Sequence, residues 1–150
     1  MIIETLKTIF RRDLVKLKVE IELYQDETKI WYVEKSIANS AGNLCLHLIG
    51  NLNAFIGVGF AKTDYVRDRP LEFSLKYMAK AELIQKIEET IIVVEKGLSN
   101  VTENQLTDDF PFVIWDKPTE TEYTLVHLLT HLSYHLGQIN YHRRLLDSVD

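Results

Sequence analysis

Hydrophobic residues recur every three or four positions along four long segments of this chain, which is the spacing of amphipathic helices. The first segment carries its apolar stripe at Ile3, Leu6, Phe10, Leu14, Leu17, Ile21 and Tyr24. The second runs from Ser40 to about Phe60, and the third starts near Ala79 and stops about Asn100. The fourth, near the C-terminus, has its stripe at Leu125, Leu129, Leu132, Leu136 and Ile139. The pattern predicts an all-α chain of four helices.

The ends of these helices carry capping signals. Ser40 or Asn39 is placed to cap the second helix. Residues 119–122, Thr-Glu-Thr-Glu, lie beside Pro118 and predict a cap for the fourth helix. Residues 102–105, Thr-Glu-Asn-Gln, predict a capping box for a short turn between the third and fourth helices.

Four amphipathic helices predict a single domain over residues 1–150, a four-helix bundle in which each helix buries its stripe against the others. The connections are about 14, 18 and 21 residues long, whereas adjacent bundle helices are usually joined by about 2 to 8. We therefore expect at least one connection to cross over the bundle. The middle connection contains the segment 59–74, where Pro70 and mixed charges are expected to end the helical pattern in a loop.

Composition narrows the classes of function. The chain has 150 residues, 46% of them hydrophobic, and a net charge of −5 from 17 basic and 22 acidic side chains. This acidic balance argues against nucleic acid or an anionic membrane as a partner. Cys45 is the single cysteine, so no intrachain disulfide can form. We find no targeting signal, expect no apolar stretch near the roughly 20 residues that span a bilayer, and so predict a soluble cytoplasmic protein.

Histidines carry the candidate chemistry. Four of the five lie on the C-terminal helix, at His127, His131, His135 and His142, and the fifth, His47, lies on the second helix. Positions four apart on a helix lie one turn above each other, so His131 and His135 can point at a common atom. Neutral imidazoles that converge inside a bundle are costly to bury unpaired, and a divalent metal would satisfy them together. Taken alone, His47 fits a hydrogen-bonded core residue better than a ligand.

Other polar residues near these histidines are candidates for supporting roles. Asn51 lies one turn after His47, and Gln138 lies on the inner face of the last helix, so both are candidates for contacts to the metal ligands. His127 is rotated round the helix from His131, so a supporting or packing role is favoured over a fourth ligand.

Two further residues receive ordinary interpretations. His142 lies near the basic end of the last helix, where the helix dipole favours a cation, and we interpret it as such a cation. Cys45 lies about 200° round the helix from His47 and is expected to be a small buried hydrophobe. Neither residue is expected to bind the metal.

Two motifs together resemble the DinB family, whose members are regarded as metalloenzymes. They are the run from Ser40 to Leu52, which contains His47, and the pattern His127-x-x-x-His131-x-x-x-His135-x-Gly137-Gln138. The resemblance covers essentially the whole chain. It implies a DinB-type bundle with a metal held by three histidines, which match His47, His131 and His135. Some members are thiol S-transferases that use bacillithiol or mycothiol. The family pattern often has Arg-Gly-Gln after the last histidine, whereas this chain has Leu136-Gly137-Gln138, so the role of that arginine has no counterpart here.

Ligand type leaves the metal open, because zinc, nickel and iron all suit imidazole. The stretch from His131 to His135 has the spacing of the zincin His-Glu-x-x-His motif, but Leu132 stands where that motif has its general base. Peptide hydrolysis by that route is therefore not supported. Arg67 and Arg69 are candidates to hold the carboxylate of a small-molecule substrate, with a solvated charged loop as the alternative.

Three classes of function remain open at this stage. The first is a metal-dependent transferase that acts on a small thiol, which is favoured because coordination itself produces the thiolate. The second is a metal-dependent hydrolase that uses bound hydroxide. The third is a non-catalytic metal-binding bundle that forms a homodimer through a helix face. A coordination position open to a pocket would favour the first two classes.

Overall fold

The computed structural model describes residues 1–148 of the chain. Its helices are α1 (Ile2–Glu22), α2 (Ala41–Leu52), α3 (Arg69–Ser74), α4 (Lys80–Ser99) and α5 (Thr121–Leu146). A π-helical stretch (Asn53–Ala61) continues α2, and short 3-10 turns cover Glu27–Trp31 and Glu103–Thr107. No strand forms between residues 1 and 148, and the predicted all-α fold is confirmed.

The four long helices form a bundle around one core. α1 packs against α4 and α5, and α2 packs against the same two helices, so α1 and α2 occupy opposite corners. The stripes predicted from the sequence face inward. Each long helix contributes fully buried side chains, among them Phe10, Leu17, Leu48, Ile87 and Leu125. Burial of these apolar surfaces is the main source of the fold's stability.

One connection crosses over the bundle, as the sequence predicts. Asn53, which follows α2, donates to the hydroxyl of Thr90 in α4 at 3.0 Å. Further along both segments, Ile56 lies against Gly97. Contacts therefore advance in the same direction on the two helices, which makes them parallel. Residues 62–79 must return along the length of the bundle between them, and they carry α3 on the way.

The second helix begins as predicted, and with its π-helical continuation it spans the predicted length. The Ser40 hydroxyl caps it by accepting from the backbone N–H of Asn43 at 3.1 Å. The combined helix Ala41–Ala61 has 21 residues and a mean hydropathy of 1.6, enough by length and composition to cross a membrane. The expectation that no stretch approaches that length is therefore wrong, because the polar residues of this segment are uncharged. Core helices of soluble proteins meet the same criterion, and 78% of this window is buried in the bundle.

A short helix replaces part of the predicted loop. α3 begins after Asp68, whose side chain accepts from the backbone N–H of Leu71 at 3.1 Å, and Pro70 lies in its first turn. Proline breaks a helix from inside but is favoured at the first helical positions, where its missing N–H is not needed. The proline that was expected to end helical structure instead starts a helix, and α3 packs against α2.

The other two predicted capping signals have different outcomes. The capping box over residues 102–105 forms as expected. At the start of α5 the cap position is Glu120, and its side chain makes no cap hydrogen bond within the described chain. The hydroxyls of the flanking threonines bond elsewhere instead, Thr119 to Thr124 at 2.8 Å and Thr121 to the backbone carbonyl of Asp108 at 3.0 Å. The capping prediction for this helix is wrong because its threonines anchor the preceding loop.

His142 is neutral and buried rather than a surface cation. Only 5% of it is exposed, and it lies between the Tyr24 hydroxyl, 2.6 Å from Nδ1, and the Tyr32 carbonyl, 2.8 Å from Nε2. Since a carbonyl can only accept, Nε2 carries the proton and Nδ1 accepts from the hydroxyl. Burial lowers the pKa of His142. The predicted cation at the helix end is wrong, because desolvation outweighs the helix dipole here.

We expect replacement of His142 by leucine to destabilise the fold and to weaken its dependence on pH. The substitution leaves a hydroxyl and a carbonyl unpaired, at about 1–3 kcal/mol each. In the wild type, the unfolded chain takes up a proton at this histidine as pH falls below about 6.5, while the folded chain resists it, so stability falls. The leucine variant lacks this effect. Urea unfolding of the wild type and the variant at pH 8 and pH 5 should show that the wild type's advantage in unfolding free energy is smaller at pH 5. A larger advantage at pH 5 would contradict the assignment of His142 as a neutral buried group.

Candidate metal centre

Helices α2 and α5 bring three histidines together in the bundle. The Nε2 atom of His131 is 3.1 Å from Nε2 of His47 and 3.2 Å from Nε2 of His135. All three candidate ligand atoms lie within 4.8 Å of one another. Nitrogens that share a tetrahedral zinc ion are separated by about 3.3 Å, given a Zn–N distance of about 2.0–2.1 Å. The cluster is therefore compatible with a metal site.

Hydrogen bonds orient two of the three rings with a lone pair toward the cluster. Nδ1 of His47 donates to Oε1 of Glu72 at 3.0 Å, because a carboxylate can only accept. Nδ1 of His135 is 2.7 Å from Oε1 of Gln138. With the proton on Nδ1, each ring presents an unprotonated Nε2 to the same point. This is the arrangement in which imidazole binds a metal.

His131 is held differently from its two neighbours. Its Nδ1 is buried and has no hydrogen-bond partner in the part of the chain that the structure describes. Burial lowers the pKa of His131 to about 4, and the nearby His135 and His47 imidazoles act in the same direction. Burial also lowers the pKa of His47, although Glu72 opposes the shift. Both rings are therefore neutral near pH 7, the form that metal binding requires.

Glu72 is the main residue of the site that the sequence did not reveal. It comes from α3, is 6% exposed, and accepts two hydrogen bonds from Arg67, to Oε2 at 2.8 Å and to Oε1 at 3.0 Å. This bidentate pair neutralises a carboxylate that would otherwise be costly to bury. Arg67, Glu72 and His47 thus form a continuous chain of contacts. Glu72 lies two residues after Pro70, in the charged segment 59–74 for which the sequence predicts a loop.

Gly50 provides the space that Glu72 occupies. A Cβ atom added at Gly50 would lie 1.9 Å from Oε2 of Glu72, well inside van der Waals contact. Gly50 lies three residues after His47 on α2, so the bare backbone and the histidine face the same carboxylate. The close neighbour of this glycine is therefore a side chain of α3.

A cavity of about 370 Å³ adjoins the histidines. Its lining residues are His47, Asn51, Phe55, Arg67, Arg69, Ile114, Trp115, His127, Leu128 and His131. The predicted substrate-binding arginines therefore lie beside the cluster. A second cavity, of about 470 Å³, adjoins His135 and Gln138. Small molecules can approach the cluster through these openings.

The remaining candidates lie near the cluster without joining it. The ring of His127 stacks on that of His131 at a centroid distance of 6.5 Å and meets the edge of Trp115 at 4.7 Å. Over residues 1–148, the group of converging ligand atoms contains three histidines and does not include His127. Cys45 is fully buried, and burial raises the pKa of its thiol.

Comparison with known proteins places the chain in a family. A family model described as a protein of unknown function, DUF1572, matches residues 3–150. The chain belongs to the DUF1572 family. No curated protein and no solved structure matches this DUF1572 chain. The function of the protein is therefore inferred from its three-histidine cluster and the cavity beside it.

We expect the carboxylate of Glu72 to strengthen metal binding. Glu72→Gln keeps an acceptor for His47 but removes the negative charge, and Gly50→Ala should displace the carboxylate sterically. Loss of such a supporting contact typically lowers metal affinity by about 10- to 100-fold. Both variants should show this loss in competition with a chelating dye. Glu82→Gln, which removes an exposed carboxylate, serves as the control. Wild-type affinity in both variants would refute a supporting role for Glu72.

Proposed function

We propose that this protein is a metal-dependent enzyme that binds one divalent transition metal, zinc, nickel or iron, through His47, His131 and His135, and transfers a small thiol. The observation that carries the proposal is the convergence of three imidazole nitrogens at the wall of a cavity. The resemblance of the two histidine motifs to the DinB family supports the same assignment. A metal bound there would supply Lewis acidity that keeps a thiol in its thiolate form.

The protein's own groups hold the site ready for this chemistry. Glu72 and Gln138 fix two imidazoles with the lone pair inward, so their orientation need not change when a ligand arrives. The cavity gives a second molecule access to the cluster from the side of His47 and His131. Such access distinguishes a reactive site from a closed structural one.

Transfer is favoured over hydrolysis because, among the described residues, the cavity has no free carboxylate, and His127 is the one lining side chain outside the cluster that could act as a general base. None of the residues that line the 370 Å³ cavity within residues 1–148 is an aspartate or glutamate. The nearby carboxylate, Glu72, is already bonded to His47 and twice to Arg67. Activation of water by a base would depend on His127, whose ring packs against His131 and Trp115, whereas a thiolate needs no base once coordinated. A hydrolase that uses bound hydroxide is the alternative.

Cobalt provides a direct test. Thiolate that enters the coordination sphere of the cobalt-substituted protein should produce a strong charge-transfer band in the near ultraviolet. The His131→Ala/His135→Ala variant, treated in the same way, should show no band. Transfer is then measured by mixing the metal-loaded protein with a thiol and an alkylating electrophile. No band with any cellular thiol, together with metal-dependent ester cleavage, would move the assignment to the hydrolase class.

A further inference from the structure

Asn51 lines the cavity beside the histidines, and the oxygen of its side-chain amide is buried without a partner among residues 1–148. The residue is 8% exposed and lies one turn after His47. An amide buried without partners is costly, and native proteins pair such groups with protein, solvent or ligand. The amide therefore points to a polar group of a bound molecule.

The two arginines of this cavity differ in availability. Arg67 donates twice to the buried Glu72 and is only partly exposed, so its charge is already balanced. Arg69 is exposed, its guanidinium lies over the ring of Phe73 at 5.5 Å, and no ion pair engages it in the described chain. Its guanidinium is therefore free to bind an anion, and a planar fork suits a carboxylate.

The rest of the cavity wall is apolar. Phe55 on the π-helical stretch, Leu128 on α5 and the loop residues Ile114 and Trp115 supply it. Trp115 is 39% exposed, so part of its ring is available to contact a ligand in the cavity. The wall thus combines the free guanidinium of Arg69 with a mainly apolar surface. A ligand with one anionic end and a small apolar body matches this combination.

We propose that the cavity is a binding subsite for small acylamino-acid-like molecules, in which Arg69 binds the carboxylate and Asn51 hydrogen-bonds the amide. Arg67 acts through Glu72 as a positioning residue and does not bind the ligand. The subsite deepens the proposed function by naming the class of thiol substrate, an N-acylated amino-acid thiol. Only this identification of the thiol rests on the proposed function; binding of the carboxylate and the amide does not.

Two pairs of probes separate the subsite from the metal chemistry. N-acetyl-L-cysteine and N-acetylcysteamine share a thiol and an acetamide and differ in the carboxylate. N-acetyl-L-leucine and its uncharged amide form a pair without a thiol. Binding of all four to the zinc-loaded protein is measured by calorimetry. In each pair the probe that carries the carboxylate should bind about tenfold more tightly than the uncharged probe, as expected for a charge-assisted pair of hydrogen bonds.

Variants assign the roles of the two residues. Arg69→Gln should abolish the carboxylate preference in both pairs and leave the affinity for N-acetylcysteamine unchanged, which also shows that the variant is folded. Asn51→Ala should weaken all four probes about three- to tenfold and keep the preference. Arg144→Gln is the matched control, because Arg144 is also exposed with its guanidinium 5.5 Å from an aromatic ring, that of Tyr141.

The outcomes distinguish failure of the subsite from failure of the proposed function. A carboxylate preference that survives Arg69→Gln, that Arg144→Gln removes equally, or that is absent from the wild type would overturn the subsite. So would a lack of binding by all four probes. If the thiol pair binds no more tightly than the thiol-free pair but Arg69 still controls the preference, the subsite stands and the thiol transferase is refuted.

Discussion

Alanine at both His131 and His135 should abolish metal binding. The wild-type protein, purified without a histidine tag, should hold about one divalent transition metal per chain, because three neutral imidazole nitrogens converge there. The double variant keeps only His47 of the cluster, and a single histidine cannot retain a metal through dialysis. Elemental analysis by mass spectrometry measures the metal content directly.

The control for this experiment lies on the same helix. Thr130 and Ser133 are exposed on α5, so Thr130→Ala/Ser133→Ala makes two substitutions in the same turns without touching the cluster. This control should retain full metal content. Full occupancy in the variant that lacks His131 and His135 would eliminate the assigned site.

His47→Ala should lose several orders of magnitude in metal affinity, whereas His127→Ala should lose at most about 10- to 100-fold. His47 reaches the cluster from α2 and places its Nε2 3.1 Å from that of His131. His127 instead stacks on His131 and against Trp115, outside the group of converging nitrogens. One helix cannot surround a metal by itself, so the ligand from the facing helix is required.

Competition with a chelating dye ranks the two variants. Each variant is also unfolded in urea without metal, so that any loss of stability is separated from loss of a ligand. The opposite order, with the larger loss in His127→Ala, would show that three histidines of α5 form the site and that the role of His47 is structural.

Local features of the sequence were sufficient to predict the four long helices and the two site histidines of α5. The apolar stripes that continue through Leu17 and Leu125 face the core, because the period of the stripe is the period of the helix. His131 and His135 converge because residues four apart on any helix share a face. Ser40 caps α2 through a contact to the third residue beyond it. Each of these features depends on residues within about one helical turn or on a spacing that repeats along one helix, so it can be predicted without the tertiary structure.

Contacts between residues that are distant in the chain could not be predicted from the sequence. Glu72 lies 25 positions from His47, and nothing in the spacing of the two residues shows that α3 folds back over α2. The expected break at Pro70 was wrong for a local reason, because Asp68 two residues earlier caps a helix whose first turn accommodates the proline. The resemblance to a known family, rather than periodicity, paired His47 with the histidines of α5.

By itself, the sequence determined that this protein is a bundle of four amphipathic helices with a pair of histidines on one face, since these follow from helical periodicity. The tertiary structure decided which groups are charged, paired or free. His142 is neutral because it is buried against the connection between α1 and α2, which supplies Tyr24 and Tyr32. Arg67 is occupied because α3 brings Glu72 to it, and Arg69 and Asn51 line the cavity beside the histidines without a partner in the described chain. Burial and partner choice depend on elements distant in the chain, and the pKa and reactivity of a side chain depend on both.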